Sequence, residues 1–191
     1  MGTPLISAEL NKKDVENLLK TYSSSLVKKA IRSSLDRTGT WAKKYLADDV
    51  SQNYNLSSAR VKKAIKTIRT TQTKLETSLV ISGQRTSLAK DFKAWQDDVG
   101  IKANISRKQV FSVPHAFIQK KSGTKIIMMR KGKSRYPTTG RPGLGPSMAA
   151  LINRSSRRSK RDADMTDHLY KELQEQIAKR TLGGTQMPEL E

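Results

Sequence analysis

Cysteine is absent from this sequence of 191 residues, which excludes disulfide bonds and thiolate metal ligands. Aromatic residues make up only 5% of the chain, and there are only two histidines. No apolar run approaches the roughly 18 residues that a membrane-spanning helix needs. Residues 1–5 also lack the basic and apolar regions of a signal peptide, so we expect a soluble protein made in the cytoplasm.

Acidic residues are missing from about one third of the chain. From Gly100 to Arg161 there is no Asp or Glu, whereas sixteen residues are Lys or Arg. The whole sequence has 37 basic and 17 acidic residues, so this segment holds +16 of the net charge of +20. Crowded cations repel one another, and the pattern predicts binding to nucleic acid or to an acidic protein surface. A merely solvated basic face is the alternative.

Apolar residues at steps of three and four predict a helical N-terminal region. Residues 11–53 are expected to form one long helix or two collinear helices, starting near Ser7 or Asn11. Ser23–Ser25 and Gly39 are the candidate break points, because Ser favours helix caps and Gly is a poor helix former.

Two further helices are predicted. A short basic helix over 59–66 follows a cap at Ser57 or Ser58, and it resembles a helix-turn-helix only in outline. An amphipathic helix over 162–180 has acids at its start and bases at its end, as the helix dipole favours. Its apolar stripe consists of Met165, Leu169, Leu173 and Ile177.

Alternating apolar and polar residues predict strands in the middle of the chain. Residues 74–82 are expected to bury one face, which includes Leu75, and residues 101–113 resume the alternation. Two β-rich runs within Val113–Arg130 flank Ser122–Gly123, and this arrangement predicts a hairpin.

Residues 83–100 are interpreted as an insertion between these strands. A short amphipathic helix capped by Ser87 would pack on the core through Leu88, Phe92 and Trp95, and a mobile binding loop is the alternative.

The predicted fold class is α+β. A long N-terminal helix or helix pair and a C-terminal helix would pack on a small, mainly antiparallel β-sheet. We expect a single domain over 1–181, in which the Gly/Pro-rich residues 138–146 form an extended arm. Residues 182–191 are expected to be a disordered tail. Trp41 and Tyr45 are predicted to be core residues.

Catalytic chemistry finds little support. His115 and His168 do not lie at a metal-ligand spacing from another ligand, so each is interpreted as a structural or surface residue. The adjacent pairs Asp48–Asp49 and Asp97–Asp98 would point in different directions on a helix. We therefore predict no catalytic residue, no cofactor and no metal.

Three partial motifs are rejected. Ser87-Leu-Ala-Lys90 and Lys121-Ser-Gly123 match fragments of penicillin-recognising enzymes, but the third motif of those enzymes is missing and the chain is too short. Glycines 140, 143 and 145 do not match a phosphate-binding loop. A hydrolase that uses Ser87 or His115 is a third hypothesis.

Three ordered segments resemble the prophage minor tail protein Z family, the tail completion proteins of long-tailed phages. The segments are Ala116-Phe-Ile-Gln119, Gly132-Lys-Ser-Arg-Tyr-Pro137 and Gly145-Pro-Ser-Met148. The motif residues that match are Phe117, Ile118, Gln119, Gly132, Arg135, Tyr136, Pro137, Pro146 and Met148.

The resemblance implies a structural virion protein that is not an enzyme. Such a protein acts at the head-proximal end of the tail, in tail maturation, head-tail joining and positioning of the DNA end. The implied partners are other tail and neck proteins, the phage DNA end and further copies in a homo-oligomeric ring, six-fold by similarity. The implied location is the virion, after assembly in the host cytoplasm.

A basic surface is the predicted contact with DNA or with an acidic partner. Its expected members are Lys131, Lys133, Arg135, Arg141, Arg154, Arg157, Arg158, Lys160 and Arg161. A stand-alone, sequence-nonspecific nucleic-acid-binding module is the alternative function.

Overall fold

The computed structural model describes residues 8, 10–121, 123–130, 138–139, 143–153 and 158–181. These residues form an α+β fold with small antiparallel sheets, which confirms the predicted fold class. The helices are α1 (Lys12–Thr21), α2 (Ser24–Asn53), α3 (Ser58–Ala64), α4 (Leu88–Asp91), α5 (Met148–Ile152) and α6 (Arg158–Thr181). The strands are β1 (Ile65–Ile68), β2 (Ser78–Ile81), β3 (Arg85–Ser87), β4 (Trp95–Gln96), β5 (Gly100–Ser106), β6 (Gln109–Pro114), β7 (Ala116–Lys121), β8 (Thr124–Arg130), β9 (Thr138–Thr139) and β10 (Leu144–Ser147).

The chain divides into two compact units. The first contains the described residues of Met1–Lys44, Lys66–Val80 and Asn153–Glu191, and the second contains those of Tyr45–Ile65 and Ile81–Ile152. The single domain over 1–181 stays a prediction. The predicted tail at 182–191 lies outside the described residues.

Helix packing forms the core of the first unit. The Asn11 side chain accepts a hydrogen bond from the Lys13 N–H at 3.1 Å, so α1 begins where a cap was predicted. The helix ends at Thr21, and the extended Tyr22 separates it from α2. On α6, Leu173 and Ile177 pack against a buried cluster on α2. That cluster consists of Val27, Ala30 and Ile31.

Gly39 lies inside α2, so the break suggested there was wrong. A Cβ atom at this position would collide with the Thr77 Cγ2 atom. Nearly one turn earlier, the Asp36 carboxylate accepts hydrogen bonds from the Thr70 N–H (2.9 Å), the Thr70 hydroxyl (3.1 Å) and the Thr77 hydroxyl (3.2 Å). The glycine therefore gives the segment 69–77 room to lie against the helix.

Two hairpins dominate the second unit. Strands β5 and β6 pair through Ile101 with Val113, within the three-stranded order β4-β5-β6. Strands β7 and β8 pair up to Lys121 with Thr124, which leaves two residues for the turn. Gly123 in this turn has a φ of +76°, a conformation that favours glycine, and the predicted hairpin is confirmed.

Residues 83–100 are an integral part of the second unit. The Ser87 hydroxyl caps α4 by accepting the Lys90 N–H at 3.3 Å, and Leu88 and Phe92 are buried, as predicted. The predicted burial of Trp95 was wrong. Strand β4 carries this residue, which is 40% exposed because the helix stops at Asp91 and the chain turns.

Other predicted boundaries also change. The strand predicted over 74–82 is shorter in the structure and consists of β2 alone. Leu75 is exposed because the loop before β2 is held by hydrogen bonds to Asp36 and not by pairing with another strand. The short basic helix is confirmed as α3, although β1 begins already at Ile65. Within the predicted arm 138–146, the described residues pair as β9 with β8 and as β10 with β3.

Candidate functional site

The tip of the β7–β8 hairpin carries a pair of like charges. Lys120 and Lys125 lie directly opposite each other in the strand register, and both are exposed. No carboxylate of the described residues forms an ion pair with either lysine. In antiparallel strands, side chains directly opposite have Cβ atoms about 4.5–5.5 Å apart, so the two ammonium groups repel each other. We call this pair the hairpin lysines.

The β5–β6 hairpin carries further cations, of which Lys102 forms an ion pair whereas Arg107 and Lys108 do not form one with a described carboxylate. The Lys102 ammonium donates to the Asp97 carboxylate at 2.6 Å, and this contact holds the pKa of Asp97 below its usual value. The Gly100 N–H also donates to Asp97, which lowers that pKa further. Arg107 and Lys108 at the turn are exposed, and neither forms an ion pair with a described carboxylate.

Three of the nine predicted contact residues fall on described positions, all in the first unit. Arg158 and Lys160 lie in the first turn of α6, and Lys160 is exposed. Arg161 is only 4% exposed, so its predicted place on an exposed surface was wrong. It lies four residues before Met165 and therefore on the buried stripe of α6. The other predicted contacts lie outside the described residues: Lys131, Lys133, Arg135, Arg141, Arg154 and Arg157.

The described motif residues belong to the framework of the second unit. Phe117 and Ile118 are partly buried on β7, and Gln119 is exposed there. The Pro146 carbonyl accepts the Thr86 hydroxyl at 2.7 Å, and Met148 is buried at the start of α5. The remaining motif positions lie outside the described residues: Gly132, Arg135, Tyr136 and Pro137.

A cleft of about 690 Å³ opens on the second unit beside Trp95. We call it the Trp95 cleft, and its lining includes Tyr54, Asn55, Asp91, Lys93, Trp95, Asn104 and Arg107. Its volume is within the range of about 300–1,000 Å³ that is typical of ligand clefts.

Backbone contacts fix the walls of the Trp95 cleft. Tyr54 follows the end of α2 and forms an isolated β-bridge with Ser106. The Arg107 N–H donates to the Asn53 carbonyl at 3.1 Å, which satisfies an acceptor that the helix end would leave free. The Asn55 side chain donates to the Asn104 carbonyl at 2.8 Å. The helix end and the β5–β6 turn are therefore joined at this wall.

The Trp95 cleft has an excess of positive charge. Asp91 is the carboxylate among its described lining residues, and it is already occupied. It accepts from the Arg60 guanidinium at 3.1 Å and from the Ser87 N–H at 2.8 Å. Lys93 and Arg107 are exposed and form no ion pair with a described residue.

A second cavity, of about 600 Å³, lies in the first unit beside Trp41. The Trp41 and His168 rings stack there, with centroids 4.2 Å apart and planes inclined by 21°. Burial is the main cause that lowers the pKa of His168 below 6.5, although the carboxylate of Glu172 opposes the shift. Arg37 lies 3.6 Å from the same carboxylate. Trp41 is partly buried, and its ring contacts the ring of His168.

Ser87 and His115 were considered for catalysis, and both lie in the second unit. The Ser87 hydroxyl caps α4, and His115 is exposed between β6 and β7 with a φ of 58°. No hydrogen bond joins these two described residues. Among the residues that the structure describes, no group of three His, Asp or Glu side chains could hold a metal ion. None of the described helices is long and apolar enough to cross a membrane.

Sequence reasoning missed the Trp95 cleft and the hairpin lysines. Counting back from the two-residue turn could have placed Lys120 opposite Lys125. No sequence signal brings Tyr54, Trp95 and Arg107 together, because they come from three separate parts of the chain. Comparisons with protein families, with curated proteins and with solved structures find no match for this chain.

Proposed function

We propose that this protein is a structural component of a phage tail, similar to tail completion proteins. In this proposal it acts at the head-proximal end of the tail, in tail maturation, head-tail joining and positioning of the DNA end. It belongs to the virion, assembles in the host cytoplasm and has no catalytic role. The three ordered segments between Ala116 and Met148 support this assignment.

The hairpin lysines are the observation that carries the proposal. Like charges directly opposite in paired strands are destabilising, whereas opposite charges at such positions contribute about 0.2–1 kcal/mol. The repulsion between Lys120 and Lys125 is not relieved within a segment that has no Asp or Glu over 100–161. An anionic partner relieves it, and the acidic surface of a tail or neck protein or the phosphates of a DNA end supply such a partner.

A homo-oligomeric ring is the assembly in which we place the chain, with six copies proposed from the resemblance. A head-to-tail contact between identical chains produces a ring when its rotation closes. Each copy would then present its hairpin lysines at an equivalent position.

Lys120→Glu separates folding from function. The glutamate faces Lys125 and replaces repulsion with attraction, so the free energy of unfolding should rise by about 0.2–1 kcal/mol. Assembly should decline nevertheless, because the anionic partner now meets a carboxylate. The measurements are urea unfolding, native mass spectrometry with negative-stain imaging, and the yield of infectious particles when the variant replaces the chain in its phage or prophage.

Lys28→Glu is the matched control. This exposed residue in the second turn of α2 undergoes the same change in charge outside the hairpin. It should leave particle yield unchanged. A full yield of infectious particles from Lys120→Glu, with Lys125→Glu added, would contradict the proposal.

A stand-alone nucleic-acid-binding module is the second candidate, and a set of exposed cations that form no ion pair with a described carboxylate favours it: Lys120, Lys125, Arg107 and Lys108. For this candidate, the purified monomer should bind duplex DNA with an affinity that falls steeply between about 50 and 200 mM salt. A ring with weak DNA affinity would instead favour the tail component.

A further inference from the structure

Trp95 offers an aromatic face at a fixed place. Its backbone is held by pairing with Lys102, and the preceding Ala94 is buried at 5% exposure. Trp95 is nevertheless 40% exposed, and no aromatic ring of the described residues stacks on its indole. Large aromatic residues at such positions can accept a flat ligand by stacking.

Two cations line the same cleft as Trp95. Lys93 has a φ of 49°, in the left-handed region that non-glycine residues rarely occupy. Its neighbours Phe92 and Ala94 are buried, and Lys93 itself is exposed. Arg107 is held at the β5–β6 turn by its N–H bond to the end of α2. Both groups can bind phosphate oxygens, and Arg107 can do so with two parallel hydrogen bonds.

The side-chain amide of Asn104 is a further polar group of the cleft. Asn104 accepts the Asn55 side chain through its backbone carbonyl, and its own side chain is exposed beside the cleft. Side-chain amides match the paired donors and acceptors on the edge of a nucleobase. An acidic peptide would use the two cations but would leave the indole face and the amide without a partner.

We infer that the Trp95 cleft binds one unpaired nucleotide of a single-stranded nucleic acid. The base stacks on Trp95, Asn104 contacts its edge, and Lys93 and Arg107 contact the adjoining phosphates. Duplex DNA cannot make the stacking contact, because each base in a duplex is covered by its neighbours. This site does not depend on the hairpin lysines, so it is separable from the function proposed above.

Tryptophan fluorescence tests the inference directly. The chain has two tryptophans, so Trp41→Phe leaves Trp95 as the sole reporter. Oligothymidylate should quench this emission, whereas poly-glutamate and a duplex of equal charge should not. Trp95→Ala and Trp95→Phe remove the reporter, so their affinity is measured by the anisotropy of a dye-labelled oligothymidylate. Trp95→Ala should weaken binding by at least about fivefold, and Trp95→Phe should retain most of the affinity because it keeps an aromatic plane.

The salt dependence of binding tests the roles of Lys93 and Arg107. Lys93→Ala and Arg107→Ala should each reduce the slope of log affinity against log salt by about 0.7, the value for one phosphate contact on a single strand. Lys108→Ala, an exposed cation of the same turn outside the cleft lining, is the matched control and should not change the quenching.

The inference would be overturned if poly-glutamate quenched the emission equally, or if Trp95→Ala bound oligothymidylate with unchanged affinity. Either result would mean that the surface binds anions through charge alone. Circular dichroism of each variant confirms that it is folded. Particle yield from Lys120→Glu tests the tail function separately, so failure of one proposal is distinguishable from failure of the other.

Discussion

Trp41 and His168 show how a single contact changes the chemistry of a side chain. The imidazole is packed face to face on the indole, and the loss of hydration disfavours its charged form. The neighbouring Lys171 opposes protonation as well, whereas Glu172 and Glu175 favour it. Burial dominates, and the pKa of His168 in the folded protein is lowered.

The stability of the fold should therefore decrease in mild acid. Below pH 6.5 the unfolded chain binds a proton at His168 that the folded chain binds only at a lower pH, so the unfolded state gains stability. The contribution of His168 is fully present above pH 6.5 and declines as the pH falls from there toward the lowered pKa. Urea unfolding between pH 7.5 and 5 measures the effect.

His168→Phe is the appropriate comparison, because it keeps a ring against Trp41 and removes the titrating group. The variant should show a flatter dependence of the free energy of unfolding on pH over the same range. Identical slopes for both proteins would show that the buried imidazole does not control the pH response.

At the scale of elements, Asp36 connects a helix to the segment that precedes a strand. One carboxylate oxygen on α2 accepts all three hydrogen bonds from Thr70 and Thr77. Thr70 is buried at 5% exposure, so its N–H and hydroxyl depend on this acceptor for their hydrogen bonds. This connection explains why residues 69–77 follow the helix and why β2 is shorter than its alternating pattern predicts.

Asp36→Ala should lower the free energy of unfolding by about 1–3 kcal/mol, since it leaves a buried donor without a partner. Asp36→Asn keeps one acceptor oxygen in the same position and should cost less than half as much. Thermal and urea unfolding followed by circular dichroism provide the comparison. If both variants lost the same amount, the charge of Asp36 and not its role as an acceptor would be responsible.

At the scale of the whole molecule, net charge is the dominant feature. A formal charge of +20 on 191 residues produces repulsion between the cations. Each described ion pair has at least one partly exposed partner, so these pairs offset the repulsion only weakly. Salt shortens the range of this repulsion from about 30 Å at 0.01 M to about 8 Å at 0.15 M.

The melting temperature should consequently rise as sodium chloride increases over this range. A gain of about 1 kcal/mol corresponds to roughly 2–4 °C for a chain of this length. Differential scanning calorimetry at constant pH measures the change, and Lys120→Glu should show a smaller rise because one repulsive pair is already removed. A melting temperature that falls with salt would mean that native ion pairs outweigh the repulsion.

The elements that depend on local pattern could be predicted from the sequence. The cap at Asn11, the stripe of α6 and the turn at Gly123 each follow from residues within one or two turns of one another. The α+β class follows from the same patterns. Element ends were less predictable where a distant side chain decided them, as Asp36 does for the loop before β2.

The sequence by itself determined the periodic helices, the β7–β8 hairpin and the acid-free segment, because each depends on residues that are close together along the chain. Only the tertiary structure decided that Trp95 is exposed, that Arg161 is buried, and that Tyr54, Lys93 and Arg107 share one cleft. The physical reason is that a cleft forms between elements that are distant in sequence. Their proximity depends on strand register and helix ends, which local patterns do not encode.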